Sequence, residues 1–501
     1  MNTFVEALAE MQNLMENLKR TENGALAYSS TMDKVYDMFA FGGAYRQRTD
    51  DEVVALYANA YAQSPVLATK CLFYLRDVRG GQGERRFFRV AFKWLIRSHK
   101  KVARMLLPLI SEYGRWDDLI DVCYGTSLWE DAMAIVDEQL TKDIMNDTDC
   151  SLLAKWLPSA NASSKETKKK AAAVMNSLGM SPKAYRKTLS RLREKLNVLE
   201  RLMSANEWSE IEFDKIPSKA GLLYKDAFQR RDIIQKRYKE FITSDDTKVN
   251  AKALYPYEII KQARYLNSQT DIAVIDKYWN NLPDYFNGQS NSMMCVCDTS
   301  GSMTWGNING NVLPIDVAIS LSIYAAEHNK GPFKDCYISF ASRPQFIKIK
   351  GDNIVEKASY IYDKNLVDDT NLEAVFDLLR KGCINHKWLP EDMPKTLVII
   401  SDMEINQGID ELGWRSYNDA IKGLMEQIRD KWIADGLEEY FPKLIYWNVN
   451  ARNNTILDMG PNVSYVSGCS PILFEQVISG KSGYDLMLNK LLSERYGMIE
   501  F

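Results

Sequence analysis

With 501 residues, 63 Lys and Arg against 66 Asp and Glu, and 46% hydrophobic residues, the chain has the composition of a folded globular protein of more than one domain. Its formal charge of −3 carries no nucleic-acid signature, and eight scattered cysteines without a C-x-x-C pair argue against a disulfide framework. Three histidines leave a His-rich zinc site or a Ser-His-Asp triad poorly supplied.

The first stretch, MNTFVEALAEMQNLMENLKR, is charged and amphipathic, unlike a signal peptide, and no run approaches the roughly 20 apolar residues that span a bilayer. The expectation is a cytoplasmic protein without membrane attachment. Residues 1–290 read as helices separated by short polar or glycine-containing breaks. EVVALYANAYA places Val54, Tyr57, Ala58 and Tyr61 on one face. LATKCLFYL does so with Ala68, Cys71, Leu72 and Leu75, and FFRVAFKWL with Phe87, Val90, Ala91 and Trp94. With no strand pattern, such a string predicts an all-α, repeat-like array. Between two of these helices Arg76, Asp77, Arg79, Glu84, Arg85 and Arg86 crowd one turn, which reads as a salt-bridged joint or a guanidinium cluster for phosphate. No G-K-[S/T] follows its glycines, so it is not a P-loop. YGRWDDL, with Tyr113, Arg115, Trp116 and Asp117, reads as a packed helix start.

From Lys165 to Glu240 the balance shifts to 19 Lys and Arg against 10 Asp and Glu. Lys168, Lys169, Lys170, Lys183, Arg186, Lys187, Arg191, Arg193, Arg230, Arg231, Lys236 and Arg237 are the candidates for a phosphate-binding surface, against the plainer reading of a solvated helical face. The interleaved Tyr185, Trp208, Tyr224, Phe228 and Tyr238 suit base stacking and core packing equally.

Residues 291–480 change to strand–helix alternation. MMCVC, DCYISFA, TLVIIS, KLIYWNV and VSYVSG read as strands. Helices are expected in DVAISLSIYAAEH, in NLEAVFDLLRKG with Leu372, Val375, Phe376 and Leu379 inward and Gly382 as its end, over roughly 416–434, and in PILFEQVIS. The pattern predicts a doubly wound α/β domain with a mostly parallel sheet. Residues 481–501 read as a last helix packing back on the helical part.

Asp298 follows the first buried strand, with Ser300 and Ser302 at alternate positions of the loop, so one carboxylate and two hydroxyls face one point. Thr370, just before a helix, and Asp402, just after the most apolar strand, add oxygens from two further strand ends. Five oxygen donors suit a hard divalent cation: Mg²⁺ first, then Mn²⁺ or Ca²⁺. The plainer readings are caps for Ser300, Ser302 and Thr370 and a turn for Asp402. Trp305, just beyond, reads either as a packed residue or as a partner contact.

DTSGSM, the threonine before an amphipathic helix and the ISDMEIN loop resemble the metal-ion-dependent adhesion site of a von Willebrand factor A domain. The resemblance implies a Rossmann-like fold in which Ser300, Ser302 and Thr370 bind the ion directly, Asp298 and Asp402 act mostly through water, and an acidic partner group fills the open position. Upstream, FYLRDVRGGQGERRFFRVAFKWL and ISEYGRWDDLIDV are similar to an uncharacterised family distantly similar to the TROVE module of the Ro ribonucleoprotein autoantigen. That likeness implies HEAT-like helices and binding of structured RNA or single-stranded RNA ends. The combined expectation is a non-catalytic, monomeric RNA-binding scaffold with a metal centre. The alternatives are a protein-binding adaptor, such as a partner of an AAA+ ATPase, and a metal-dependent hydrolase.

Overall fold

The computed structural model describes residues 12, 16–146, 148–196, 199–263, 266, 269–286, 288, 292–306, 312–364, 370–406, 423–478 and 481–501. They form two compact units, one of Met1–Cys71 with Leu254–Ser493, the other of Leu72–Ala253 with Glu494–Phe501. Each unit thus collects two separate stretches of chain, whereas the sequence boundaries at 290 and 480 mark a change of hydropathy pattern. The chain is helix-rich first and α/β later. Among the described residues no helix is long and apolar enough to cross a membrane.

A six-stranded sheet forms the centre of the first unit. Its strands are β3 (Met293–Asp298), β4 (Cys336–Phe340), β5 (Phe346–Lys348), β6 (Thr396–Ser401), β7 (Lys443–Asn448) and β8 (Val463–Ser467), in the order β5-β4-β3-β6-β7-β8. All pairs are parallel except that of β5, an antiparallel edge of three residues. Every residue of β3, β4 and β8 is buried, as in a sheet covered on both faces. The helix Pro314–His328, which leads from β3 to β4, is buried from Pro314 through Ala326 and packs on β3. The helix expected to stop at Gly382 runs over Leu372–His386 and ends on Lys387 at φ 52°. Gly382 lies inside it because the Trp388 ring lies against the backbone there; a Cβ would meet the ring at 2.5 Å. Of the helix expected over 416–434, Leu424–Ala434 is present, and residues 416–422 lie outside the described residues.

Two features of this unit depart from the expected split into an all-helical stretch before residue 290 and an α/β domain after it. Residues Leu18–Arg20 (β1) and Leu26–Tyr28 (β2) form an antiparallel hairpin. Its turn closes through Thr21 and Ala25, with Gly24 at φ 89°. Three-residue strands offer too few positions for a period of two to register. The second feature is the helix Lys34–Phe41, which packs against β8 together with the helix Gly483–Leu491. Tyr36 OH accepts the Tyr465 amide at 3.0 Å, and a Cβ on Gly483 would lie 1.8 Å from that oxygen.

The second unit is helical, from Arg85–Ser98 to Asp232–Thr243. Phe73 packs edge-on against Phe88, Phe92 and Tyr113. The buried face of the helix Arg85–Ser98 is therefore Phe87, Phe88, Ala91, Phe92, Leu95 and Ile96. Val90 and Trp94, expected on it, are half-buried because Phe88 and Phe92 turn inward instead. The crowded turn after Arg76 is a joint. Arg76 Nε and Nη2 reach Asp118 Oδ2 at 2.8 and 2.6 Å with both side chains buried, and Arg79 pairs with Glu112. Asp118 also accepts the Arg115 amide, fixing the start of the helix Trp116–Cys123. Residues 494–501 close this unit: Arg495 and Tyr496 OH both contact Asp77, and the Tyr496 ring stacks on Tyr113 at 5.6 Å.

Candidate metal centre

In the first unit the chain leaves β3 toward β4 and returns past it to β6, so β3 and β6 flank the point where strand order reverses. Loops at the carboxyl ends of such strands part there and leave a crevice. Asp298 ends β3 and Asp402 follows β6, so two carboxylates stand at that switch point, both fully buried. Asp298 Oδ1 accepts the Ser300 amide at 2.9 Å, and its Oδ2 accepts the Ser401 hydroxyl at 2.5 Å. Ser300 Oγ and Ser302 Oγ lie 3.1 Å apart. The loop carrying them is not extended as the alternation implied: Gly301–Thr304 forms a 3₁₀ turn whose Ser300 cap has no side-chain bond, which leaves the hydroxyls directed at each other.

Asp402 makes an Asx-type turn with one oxygen, accepting the Glu404 amide at 3.3 Å, while Met403 takes φ 66°. Its other oxygen, Oδ2, is buried without a hydrogen-bond partner and lies 3.6 Å from Arg452 Nη1. Burial, and then the charge of Asp298, push the Asp402 carboxyl up to about 7, against the pull of the Glu404 amide, Ser302 and Arg452. Asp298 is also raised, chiefly by burial. Two buried carboxylates with raised pKa values, one with an oxygen that lacks a hydrogen-bond partner, fit a cation that would neutralise both.

Thr370, which is buried, lies against the same loop. Its hydroxyl donates to the Glu404 carbonyl at 3.0 Å, and its carbonyl accepts the Asn406 amide. It does not cap the next helix, because Asn371 does that. Asp298, Ser300, Ser302 and Asp402 are thus brought together directly, and Thr370 joins them through the Asp402–Asn406 loop. The sequence reading missed Ser401, although the β3–β6 register sets it beside Asp298. It also missed Glu22, Glu404 and Arg452, which meet only through distant loops and left no local signal.

The basic candidates of the second unit divide. Lys170 pairs with Asp121 and Glu166. Arg193 donates to the Ala154 and Leu157 carbonyls, and Arg237 to those of Ser209 and Ile211. Arg231 lies over the Trp208 ring, and Lys236 is 4.0 Å from Glu240. Lys168, Lys169, Lys183, Arg186, Lys187, Arg191 and Arg230 are exposed. Tyr185, Trp208, Phe228 and Tyr238 are core residues, which removes them as stacking platforms.

Residues 21–124 and 148–303 match a domain of unknown function, DUF2828, together about half of the chain. The chain belongs to the DUF2828 family. Residues 292–486 match a second domain of unknown function, DUF7788. The two matches overlap across 292–303, the stretch that holds Asp298, Ser300 and Ser302. Uncharacterized protein L728 of Acanthamoeba polyphaga mimivirus is 30% identical over 489 residues, covering 89% of this chain and 82% of its own.

Proposed function

We propose that the protein is a non-catalytic binding scaffold in which a von Willebrand A-type domain carries a divalent-cation centre and a HEAT/TROVE-like helical unit binds RNA. The observation that carries the first half is the buried Asp402 Oδ2, without a hydrogen-bond partner, beside Asp298. Asp298, Ser300, Ser302, Thr370 and Asp402 would hold the ion, Mg²⁺ first and Mn²⁺ or Ca²⁺ by the same oxygen chemistry. When bound, it supplies an electrophilic seat for an anionic group of a ligand. The protein groups do the rest: Ser401 and the Ser300 amide orient Asp298, and the Met403–Glu404 turn holds Asp402.

Support for RNA comes from the helix Pro182–Lys195. Lys183, Lys187 and Arg191 recur every fourth residue, Arg186 stands beside them, and all four are exposed without an ion pair among the described residues. Such a row matches phosphates rather than bases, so binding is expected to fall steeply with salt and to be weakly sequence-dependent. Fluorescence anisotropy with a structured RNA and a single-stranded RNA tests this. Replacing the four residues by Glu should reduce affinity by roughly tenfold or more and flatten the salt slope. Absence of binding at low salt, or an unaltered slope, contradicts the RNA half.

One observation favours a protein partner instead. Trp305, three residues beyond Ser302, is 76% exposed, while its backbone is held by a bond from its amide to the Ser302 carbonyl. An exposed tryptophan beside a cation seat suits an acidic protein segment. Cation-dependent capture that survives nuclease would favour that reading.

A further inference from the structure

The metal-centre reading leaves one cation unexplained. Arg452, 37% exposed, stands between two carboxylates of the first unit. One guanidinium nitrogen is 3.6 Å from the orphaned Asp402 Oδ2, and the other is bonded to Glu22 Oε2, on the turn of the β1–β2 hairpin. Glu22 is held in turn: its amide donates to Glu404 Oε2 at 2.8 Å, and Asn453 donates to both Glu22 Oε1 and Glu404 Oε1. The hairpin is fastened to the metal loop by Thr21 Oγ1 on the Ile405 carbonyl at 2.6 Å, Asn23 on the Glu404 carbonyl at 2.7 Å, and a bridge between Gly24 and Asn406.

A guanidinium 3.6 Å from Asp402 opposes a divalent ion that needs the same carboxylate, because like charges repel strongly at short range and low dielectric. It is hydrogen-bonded on the Glu22 side and beyond hydrogen-bond length on the Asp402 side, so Glu22 holds the larger share of it. We infer that Arg452 is the resident competitor of the cation at Asp402, that Glu22 draws it aside, and that docking of the N-terminal hairpin therefore sets how tightly the centre takes its ion. This rests on the metal-centre reading and names its regulation. A hairpin that leaves would release Arg452 onto Asp402 and weaken the ion's hold.

The test is a titration of the full chain with Mn²⁺ at low ionic strength, reading free Mn²⁺ by electron paramagnetic resonance. Arg452→Gln should tighten binding about fivefold or more, and Glu22→Gln should loosen it by a similar factor. Arg452→Lys, which keeps the charge, should stay within about twofold of wild type. In the double variant Glu22→Gln/Arg452→Gln the loosening should vanish, because Glu22 acts through Arg452. Misfolding would loosen every variant, so tightening in Arg452→Gln cannot arise from damage. The inference is overturned if Arg452→Gln binds no tighter than wild type, if Arg452→Lys tightens equally, or if the Glu22 effect persists in the double variant. Failure of the wild type itself to take Mn²⁺ would instead remove the metal centre, and this inference with it.

Discussion

Single side chains carry most of what is unusual in this molecule, because its polar groups are buried where a missing partner is costly. Asp118 is the clearest case. Its burial opposes ionisation, yet Arg76 and Arg89 outweigh that and hold its pKa below the ordinary carboxylate value. Asp118→Ala would strand Arg76, which is 2% exposed, without countercharge and should cost about 3–5 kcal/mol of stability. Asp117→Ala removes a carboxylate that is 24% exposed and should cost about 1 kcal/mol or less. The midpoint of chemical unfolding would separate the two. Gly483 makes a steric counterpart. Gly483→Ala drives a methyl into Tyr36 OH and should cost about 1–3 kcal/mol. Pairing it with Tyr36→Phe should recover part of that loss, since the clashing oxygen is gone.

At the scale of elements, legibility followed local periodicity. The strands β3, β6 and β7 could be read because sheet burial on both faces leaves apolar runs with no competing signal, and β8 because Val463, Tyr465 and Val466 are strand-forming residues in a short stretch. Asp298 and Asp402 could be picked out because each follows such a run, whereas Thr370 comes after the helix Ile354–Asp363 and was marked only by the helix that follows it. The hairpin could not, since its strands are three residues long and its partners lie in loops some 380 residues away in sequence, as Thr21 to Ile405 illustrates. Gly382 misled for a related reason: a glycine that ends a helix and one that admits a neighbouring ring look alike until Trp388 is placed.

The C-terminal segment is another element whose role depends on a distant partner. Asp77 has no exposed side-chain surface, and its pKa is lowered because Arg495 and the Arg79 and Gly80 amides outweigh its burial. Removing residues 494–501 would leave that carboxylate buried and unpaired and should cost about 3–5 kcal/mol, whereas Tyr496→Phe should cost about 1 kcal/mol. The pH dependence follows from the same two aspartates. Their folded pKa values are depressed, so the unfolded chain binds protons first on acidification. The stability they contribute is complete well above about pH 3.9 and is lost as pH falls through and below it. Thermal midpoints recorded between about pH 5 and pH 3 should drop, and the drop should be shallower for Asp118→Asn.

At the scale of the whole molecule, two units each gather two stretches of chain, and the proposed chemistries divide between them. The helical unit offers a basic row whose binding would be governed by salt, while the α/β unit offers a buried carboxylate pair whose binding would be governed by a cation. Chelation should therefore abolish anything that depends on Asp298 and Asp402 and leave phosphate contacts by Lys183, Lys187 and Arg191 unaltered. The most direct check of the central claim is the stoichiometry of Mn²⁺ bound to the intact chain at neutral pH, beside the Asp298→Ala and Asp402→Ala variants. One ion per chain in the wild type, lost in both variants while their circular dichroism is unchanged, is the predicted result. No bound ion in the wild type, or equal binding in all three proteins, would contradict it.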